Sequence, residues 1–380
     1  MYTYQKQNLY YAQVLPGIEE ELTRELSWLG AEVIKTEFGI LTFTTDKAGL
    51  YRINLRSRLA TRILAPLISF RCPDADKLYR ATRTMEWRDF LRPTGSFAIV
   101  ANVSETEAFN NSHFAALKLK DAICDYFRAR TGVRPDVDKK APDVIFHLHI
   151  RKGRASISVD TSGGSLHRRG YRTQGVEAPM QETLAAAILS MTEWDLETPL
   201  VDPMCGSGTI LSEAHMFACG IPAGYLRKHF GLSRLPNFNK KLWEAERQKA
   251  TRRIQPPEEG LIMGSDICKN TVASAWENMS NLPGGDQVPI IAKDFRKLEI
   301  QEESLIVCNP PYGIRLGREE DMKQFYKEFG DFLKNECKGS TAFIYFGNRE
   351  LIGSLGLKAE WKRPLMNGGL DGRLCKYNLY

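Results

Sequence analysis

"PLVDPMCGSGTILSEAHMFACG", residues 199–220, is the stretch that decides the fold of the second half of the chain. A short apolar run up to Asp202 predicts a buried strand, a glycine-rich turn follows, and the next apolar pattern predicts a helix that ends at Gly220. From about residue 178 onwards, strand-like and helix-like runs keep alternating in this way. Apolar strands that alternate with helices imply a parallel sheet covered on both faces, so the sequence predicts a doubly wound α/β domain.

Polar side chains end four successive predicted strands of this domain, and they are Asp202, Asp266, Asp294 and Asn309. Each residue alone would be unremarkable, because Asp and Asn are common in caps and turns. In an open parallel sheet, however, ligands bind outside the carboxyl ends of the strands. Four polar residues at that edge therefore indicate one ligand-binding crevice.

The glycine-rich turn "DPMCGSGT", residues 202–209, narrows the choice of ligand. Gly206 and Gly208 allow the backbone to approach a ligand closely before a helix. The turn matches neither GxGxxG nor GxxxxGK[ST], and an acid beside it would repel a phosphate. The acid suits a positive amino group, Asp266 suits ribose hydroxyls, and Asp294 suits the amine of adenine. S-adenosylmethionine combines these three features, so we expect it as the cofactor.

The stretch "SLIVCNPPYG", residues 304–313, indicates the reaction. Its apolar strand must stop at Asn309, because proline cannot continue a central ladder. The Asn309 amide oxygen and the Pro310 carbonyl can accept hydrogen bonds from both N–H groups of a base amine and so direct its lone pair at a methyl group. Pro310 and Pro311 stiffen this backbone. Tyr312 can stack on the base, which is worth roughly 1–3 kcal/mol. An ordinary turn with a core tyrosine is the simpler alternative.

Positive charge is concentrated in the front half of the chain, although the net charge is only +6. Between Arg52 and Arg92 there are nine arginines and one lysine against four acids. A second cluster provides the candidate RNA-binding residues, which are Arg151, Lys152, Arg154, Arg168, Arg169 and Arg172. A solvated surface would explain any single arginine, but two dense clusters favour a polyanionic partner.

Composition excludes several other classes of protein. No apolar run approaches the roughly 18 residues of a membrane span, and the N-terminus lacks a signal-peptide pattern. The eight cysteines form no CxxC pair and no zinc spacing, so we expect reduced thiols in a cytoplasmic protein without a metal. Cys308 lies near the predicted site, but its apolar neighbours disfavour a nucleophilic thiolate. His147 and His149 alternate on one strand face and predict packing, because no third metal ligand is evident.

The front half itself predicts two mixed α/β units. A strand, a helix and two strands around Gly39 fit the first 55 or so residues. In the second unit, "SFAIVANVS" predicts a strand, residues 112–131 predict a helix closed by Gly132, and residues 143–163 predict a hairpin turning at Lys152 and Gly153.

The motifs "NPPYG", "DPMCGSGT", "GSDI" and "AKDF" resemble the pattern of amino-methyltransferases, and nearly the whole chain resembles the THUMP-domain RNA guanine-N2 methyltransferases. It is most similar to the bacterial enzymes that act on 23S ribosomal RNA. The resemblance implies a ferredoxin-like domain over residues 1–58, a THUMP domain over 59–165, a linker over 166–180 and a Rossmann-like, seven-stranded methyltransferase domain over 181–380. Since only one such domain is present, a single modification is expected.

Site residues follow from the same resemblance. The catalytic residues implied are Asn309, Pro310, Pro311 and Tyr312. The cofactor-binding residues implied are Asp202, Pro203, Cys205, Gly206, Ser207, Gly208, Thr209, Asp266, Ile267, Asp294, Phe295 and Asn309. Residues 178–183 are expected to close the cofactor pocket.

Three alternatives remain open at this point. A tRNA could be the substrate instead of ribosomal RNA. DNA adenine-N6 methylation is the second alternative, since NPPY suits any exocyclic base amine. A non-catalytic RNA-binding factor in ribosome assembly is the third, although the intact Asn309 and strand-end acids argue against it. The sequence predicts no oligomeric state.

Overall fold

A computed structural model describes residues 1–173, 180–311 and 319–380, without the side chain of Glu319. Its described residues form two β-sheets with helices packed against them. The first sheet contains β1 (Leu9–Val14), β2 (Glu32–Glu37), β3 (Ile40–Thr44), β4 (Ala60–Arg71), β5 (Ser96–Ser104), β6 (Asp136–Val137), β7 (Val144–Arg151) and β8 (Arg154–Asp160). The helices of this half are α1 (Thr3–Gln7), α2 (Glu19–Trp28), α3 (Lys47–Arg56), α4 (Ala75–Arg83) and α5 (Ser112–Thr131).

The first sheet is continuous across the two predicted front units. Its order is β2-β3-β1-β4-β8-β7-β5-β6, and β4 pairs with β1 on one side and β8 on the other. The predicted helix over residues 112–131 and the hairpin turn are confirmed, because Arg151 and Arg154 pair around Lys152 and Gly153. Both turn residues have positive φ, as the tightest hairpins require. The domain boundaries themselves stay a prediction.

The second sheet confirms the predicted α/β class and has seven strands in the described part of the chain. They are β9 (Leu200–Asp202), β10 (Ile262–Asp266), β11 (Ile290–Ala292), β12 (Leu305–Cys308), β13 (Thr341–Phe346), β14 (Trp361–Pro364) and β15 (Arg373–Asn378). The order is β11-β10-β9-β12-β13-β15-β14, with the first five strands parallel and β15 antiparallel to both neighbours. The helices are α6 (Glu182–Met191), α7 (Thr209–Ala218), α8 (Lys240–Thr251), α9 (Lys269–Ser280) and α10 (Glu319–Glu336).

One hydrophobic core runs through both halves, from Tyr4 near the N-terminus to Leu374 in β15. The connecting residues from 166 to 173, predicted as a linker, are packed rather than free, since Leu166, Arg169 and Tyr171 are buried. Across this junction the half-buried Arg58 donates hydrogen bonds to the carbonyls of Met216 and Ile221. The two sheets are therefore held together by packing as well as by the chain.

The described residues contain neither a helix that could span a membrane nor a cluster of metal ligands. None of the described helices is long and apolar enough to cross a membrane. Within the same residues, no group of three His, Cys, Asp or Glu side chains is placed to hold a metal ion.

Candidate active site

The four predicted strand-end residues lie along one edge of the second sheet. Strands β11, β10, β9 and β12 are consecutive neighbours, so Asp294, Asp266, Asp202 and Asn309 follow one another across the sheet in that order. Asp202 and Asp266 are the last residues of their strands, Asn309 directly follows β12, and Asp294 lies two residues beyond β11. The parallel strands thus bring together residues that are more than 100 positions apart in the chain.

The glycine-rich turn leads from β9 into α7. Gly206 and Gly208 have φ values of 53° and 77°, a region that favours glycine over other residues. The Cys205 N–H donates to the Ser265 carbonyl at 2.8 Å, which anchors the turn on the neighbouring strand. A Cβ on residue 208 would lie 3.1 Å from the Ala275 Cβ, so this position has little room for a side chain. Gly208 caps α7 without a side-chain hydrogen bond, which leaves the start of α7 available to a ligand.

Asp266 joins two loops of the site through its carboxylate. Its oxygens accept hydrogen bonds from the backbone N–H groups of Gly206 at 3.0 Å and Cys268 at 2.9 Å. A carboxylate has further lone pairs, so it can still accept from ribose hydroxyls. Ile267 beside it is 70% exposed, which is unusual for an isoleucine and fits a residue that contacts a ligand.

Asp294 has a partner that the sequence reasoning missed. Arg296 donates to both Asp294 oxygens at 3.0 and 2.9 Å and to Glu328 at 2.7 Å. Phe295 between them is only 4% exposed and packs against Phe329 and two other phenylalanine rings of α10. The Phe295 side chain is thus largely occupied by core packing, and its expected contact with the cofactor stays a prediction.

Asp202 is buried, and among the described residues its side chain accepts a single hydrogen bond, from the Met204 N–H at 3.2 Å. Burial raises the pKa of Asp202 well above its usual value, and the nearby Asp266 carboxylate raises it further. A buried carboxyl in this state gains most from a cationic partner, which would restore its charge. The amino group of S-adenosylmethionine has that character, so the acid fits the predicted ligand. The remaining predicted turn residues Pro203, Cys205, Ser207 and Thr209 are also buried.

We expect Asp202→Asn to increase stability at neutral pH while weakening cofactor binding. As the pH rises above about 4, the unfolded carboxyl ionises but the buried one resists, so the free energy of unfolding falls until the folded group ionises too. Asparagine removes this loss, and the advantage of the variant should shrink towards pH 4. Urea unfolding between pH 4 and 8, with calorimetry of S-adenosylmethionine binding, measures both effects. If the free energies of unfolding of the wild type and of Asp202→Asn changed in parallel with pH, the raised pKa assigned to Asp202 would be contradicted.

Asn309 presents an oxygen that has no hydrogen-bond partner among the described residues. Its Oδ1 is buried and accepts no hydrogen bond from any described residue. The following backbone is held in place, because the buried Tyr326 of α10 donates its hydroxyl hydrogen to the Pro311 carbonyl at 3.1 Å. Pro310 is buried, while Tyr312 lies outside the described residues. A partnerless buried acceptor at the ligand edge fits a substrate that brings its own N–H group.

Arg172 Nε and Thr183 Oγ1 of α6 are likewise buried without a hydrogen-bond partner in the described part of the chain. Arg172 donates to Thr209 Oγ1 at 2.9 Å and to the Met180 carbonyl, and it lies 3.6 Å from the Glu182 carboxylate. The Arg172 guanidinium is therefore engaged beside the glycine-rich turn, and its predicted contact with RNA stays a prediction. Of the segment expected to close the pocket, Glu182 and Thr183 are buried here, and residues 178–179 lie outside the described part.

The other predicted RNA-binding residues divide into two groups. Arg169 is only 1% exposed and forms an ion pair with Glu213 at 3.2 Å, so the prediction that it contacts RNA is wrong. The exposed members are Arg151, Lys152, Arg154 and Arg168. Charge in the sequence pointed to all six residues, but only the fold separates surface arginines from buried ones.

Neither Cys308 nor the histidine pair offers another chemistry. Cys308 is fully buried, and burial raises the pKa of its thiol well above the usual value, which disfavours a thiolate. His147 lies 3.6 Å from the buried Asp160 carboxylate, which also pairs with Arg62. His147 therefore has a structural neighbour that explains its place in the strand.

Comparison with known proteins connects this geometry to a family. The RlmL ferredoxin-like domain matches residues 10–64, the THUMP domain matches 72–160, and the RMKL-like methyltransferase domain matches 169–376. A Synechocystis protein named provisionally as an RNA methyltransferase is 38% identical over 98% of this chain and 97% of its own.

Ribosomal RNA large subunit methyltransferase K/L of Syntrophotalea carbinolica is 36% identical over 97% of this chain but only 53% of its own length. The present chain thus spans about half of these K/L relatives. The solved methyltransferase SMU.472, complexed with SAH, has a TM-score of 0.86 at 26% identity over 98% of each chain. The chain therefore belongs to the RMKL-like methyltransferase family, whose members take their methyl group from S-adenosylmethionine.

Proposed function

We propose that this protein transfers a methyl group to the exocyclic N2 amine of a guanine in large-subunit ribosomal RNA. The observation that carries the proposal is the buried Asn309 Oδ1, which has no partner within the described part of the chain. It lies at the sheet edge that also holds Asp202, Asp266 and Asp294. The names of the K/L relatives and the THUMP match support an RNA substrate. Their greater length makes the whole reaction a proposal for this chain rather than a transfer of their activity.

Each strand-end residue would bind a different part of the cofactor. Asp202 and the turn with Gly206 and Gly208 would hold the amino-acid part of the cofactor, Asp266 the ribose and Asp294 the adenine. S-adenosylmethionine supplies an electrophilic methyl group on a sulfonium. The amine of guanine is a poor nucleophile, because its lone pair is delocalised into the ring.

Asn309 and Pro310 would activate that amine by orientation. Their two oxygens would accept hydrogen bonds from its two N–H groups, which favours a pyramidal nitrogen with its lone pair directed at the methyl group. The hydrogen bond from Tyr326 to Pro311 keeps this backbone from drifting. As the new N–C bond formed, the bond between the sulfonium sulfur and the methyl carbon would break and S-adenosylhomocysteine would leave. The methylated amine would then lose one proton to water, so no strong base is needed. The buried Cys308 thiol takes no part.

We expect the full chain to form N2-methylguanine in large-subunit ribosomal RNA. The assay uses ribosomal RNA, transfer RNA and genomic DNA purified from a strain that lacks the gene, each with labelled S-adenosylmethionine. Mass spectrometry of the digested nucleosides identifies the product. Label in transfer RNA alone would show that transfer RNA, not ribosomal RNA, is the substrate. N6-methyladenine in DNA would show that the protein methylates adenine in DNA. Cofactor binding without any transfer would favour a non-catalytic assembly factor.

A further inference from the structure

Helix α9 presents a buried polar side chain, Asn278, on the face that packs against the glycine-rich turn. Ala275, one turn earlier on the same face, lies so close that a Cβ on residue 208 would come within 3.1 Å of its own Cβ. Asn278 is fully buried on this face. A buried amide costs free energy unless its polar atoms are hydrogen-bonded, so the partners of Asn278 show what it holds.

The amide of Asn278 is hydrogen-bonded on both sides, to the turn and to the chain that arrives from the front half. Its Nδ2 donates to the Ser207 carbonyl at 3.1 Å. Its Oδ1 accepts from the backbone N–H of Thr173 at 3.1 Å. Thr173 is the last of the connecting residues 166–173, which we call the connecting segment. One side chain therefore links the connecting segment to the glycine-rich turn.

The hydrogen bond to Ser207 fixes a peptide group that would otherwise rotate with little resistance. The peptide between Ser207 and Gly208 is held at its carbonyl by Asn278, and at its N–H by the Cys205 carbonyl at 2.9 Å. Gly208 has a φ of 77° and no Cβ, so it tolerates a rotated peptide more readily than another residue would. Rotation would break the bond to Cys205 and disturb the start of α7, whose first N–H groups have no partner within the helix.

The connecting segment reaches the turn a second time through Arg172. The Arg172 guanidinium donates to Thr209 Oγ1 at 2.9 Å. Ser207 and Thr209 flank Gly208, so the connecting segment is tied to both sides of this glycine. The conformation of the turn and the position of the connecting segment therefore depend on each other.

We propose that Asn278 is a positioning residue for the methyl donor. It holds the peptide between Ser207 and Gly208 in the orientation that binds S-adenosylmethionine, and it makes that orientation depend on the connecting segment. Asn278 acts through the turn and does not itself contact the cofactor. The inference rests on the part of the proposed function that places the cofactor at the glycine-rich turn, and it holds for any RNA substrate.

Calorimetry of S-adenosylhomocysteine binding to the full chain tests the role of the donor. One net hydrogen bond is worth up to about a factor of ten in an equilibrium constant, so Asn278→Ala should raise the Kd about tenfold. Asn278→Asp has the same shape and still accepts from Thr173, but it cannot donate to Ser207 when ionised. It should therefore bind as weakly as Asn278→Ala.

Steady-state kinetics separate positioning from chemistry. The assay uses large-subunit ribosomal RNA from a strain that lacks the gene, with S-adenosylmethionine as the varied substrate. Asn278→Ala should raise the KM for S-adenosylmethionine about tenfold and leave kcat within about threefold, because the turn is needed to bind the cofactor rather than to orient the amine. A fall in kcat alone would contradict this role.

The matched control is Asn54→Ala in α3, which removes another buried asparagine. Asn54 is 1% exposed, and its amide donates to the Leu50 carbonyl at 2.9 Å and accepts from Thr161 Oγ1 at 3.2 Å. Asn54→Ala should lower the melting temperature as Asn278→Ala does, but it should leave the Kd within about twofold. Both variants are titrated well below their melting temperatures, so a shared loss of affinity would reflect stability and would overturn the inference.

Hydrogen exchange tests the dependence on the connecting segment. Linkage requires that a cofactor which needs the fixed turn also stabilises the segment tied to it. S-adenosylhomocysteine should therefore slow exchange in the wild-type peptide that contains Thr173, and Asn278→Ala should lose this slowing. This measurement on the wild type needs no variant to fold. Exchange at Thr173 that does not respond to S-adenosylhomocysteine would overturn the dependence.

Asp266→Ala distinguishes failure of this inference from failure of the proposed function. If Asp266→Ala lost affinity for S-adenosylhomocysteine but both Asn278 variants bound it within about twofold of the wild type, the positioning role would be refuted and the cofactor site would stand. If Asp266→Ala bound as tightly as the wild type, the cofactor would not lie at this sheet edge, and the proposed function would fail together with the inference.

Discussion

Asn309→Ala should reduce single-turnover methyl transfer by about 10²–10³-fold, the range seen when one preorganised hydrogen-bonding group is removed from an active site. The reason is that its Oδ1 is held buried without a partner and is available to the substrate amine. The interaction matters mainly as the transition state forms, so binding of S-adenosylmethionine and of RNA should stay near wild type. Rapid-quench measurement of labelled methyl transfer into the natural RNA, with the product identified as N2-methylguanine, gives the rate.

Two further variants make the result specific. Asn309→Asp keeps an acceptor oxygen and adds charge, so partial activity is expected. Asn348 offers a matched control, because it also follows a parallel strand, β13, but its Oδ1 already accepts the Glu350 N–H. Asn348→Ala should therefore transfer methyl groups at nearly the wild-type rate. A wild-type rate in Asn309→Ala would remove Asn309 from the mechanism.

The role of Tyr312 can be inferred only from the sequence, since Tyr312 lies outside the described residues. Its predicted role is to stack on a base that has left its pairing, which otherwise costs a few kcal/mol. That role stays a prediction, and it differs from the orienting role of Asn309.

Local patterns in the sequence were enough to predict which residues lie at the ends of the parallel strands. Asp202, Asp266 and Asn309 each end an apolar run, and the rule for parallel sheets brings such ends to one edge without knowledge of the strand order. The hairpin at Lys152 and Gly153 was equally local, because the turn chemistry and the alternation on both sides agree.

Tertiary neighbours could not be predicted in the same way. Arg168 and Arg169 are identical residues at successive positions, yet the first is exposed and the second is buried against Glu213. The Arg296 that pairs with Asp294 also holds Glu328 on a distant helix. Strand β4 was missed as well, because its two partners β1 and β8 come from opposite ends of the front half. Burial, ion pairing and strand pairing at these positions depend on which elements pack together in the folded chain.

The buried pair Arg169 and Glu213 gives the prediction with the largest effect on stability. The Arg169 guanidinium donates to both Glu213 oxygens, at 3.2 and 3.4 Å, and to the carbonyl of Leu166 at 2.8 Å. Arg169→Ala leaves the Glu213 carboxylate buried with the Tyr171 hydroxyl as its remaining described hydrogen-bond partner. Breaking a buried ion pair from one side costs about 3–5 kcal/mol, so we expect a loss of that size in the free energy of unfolding.

Arg168→Ala is the matched control for this loss, because it truncates the neighbouring exposed arginine and should change the free energy of unfolding by no more than about 0.5 kcal/mol. The double variant Arg169→Met/Glu213→Gln removes both charges and should recover much of the stability lost in Arg169→Ala, since no unpaired charge remains buried. Urea unfolding of the four proteins gives these differences.

Because Glu213 belongs to α7, which starts directly after Gly208 of the glycine-rich turn, Arg169→Ala should also weaken S-adenosylmethionine binding, whereas Arg168→Ala should not. If Arg169→Ala and Arg168→Ala were equally stable, the ion pair between Arg169 and Glu213 would not be holding the segment around Arg169 to α7.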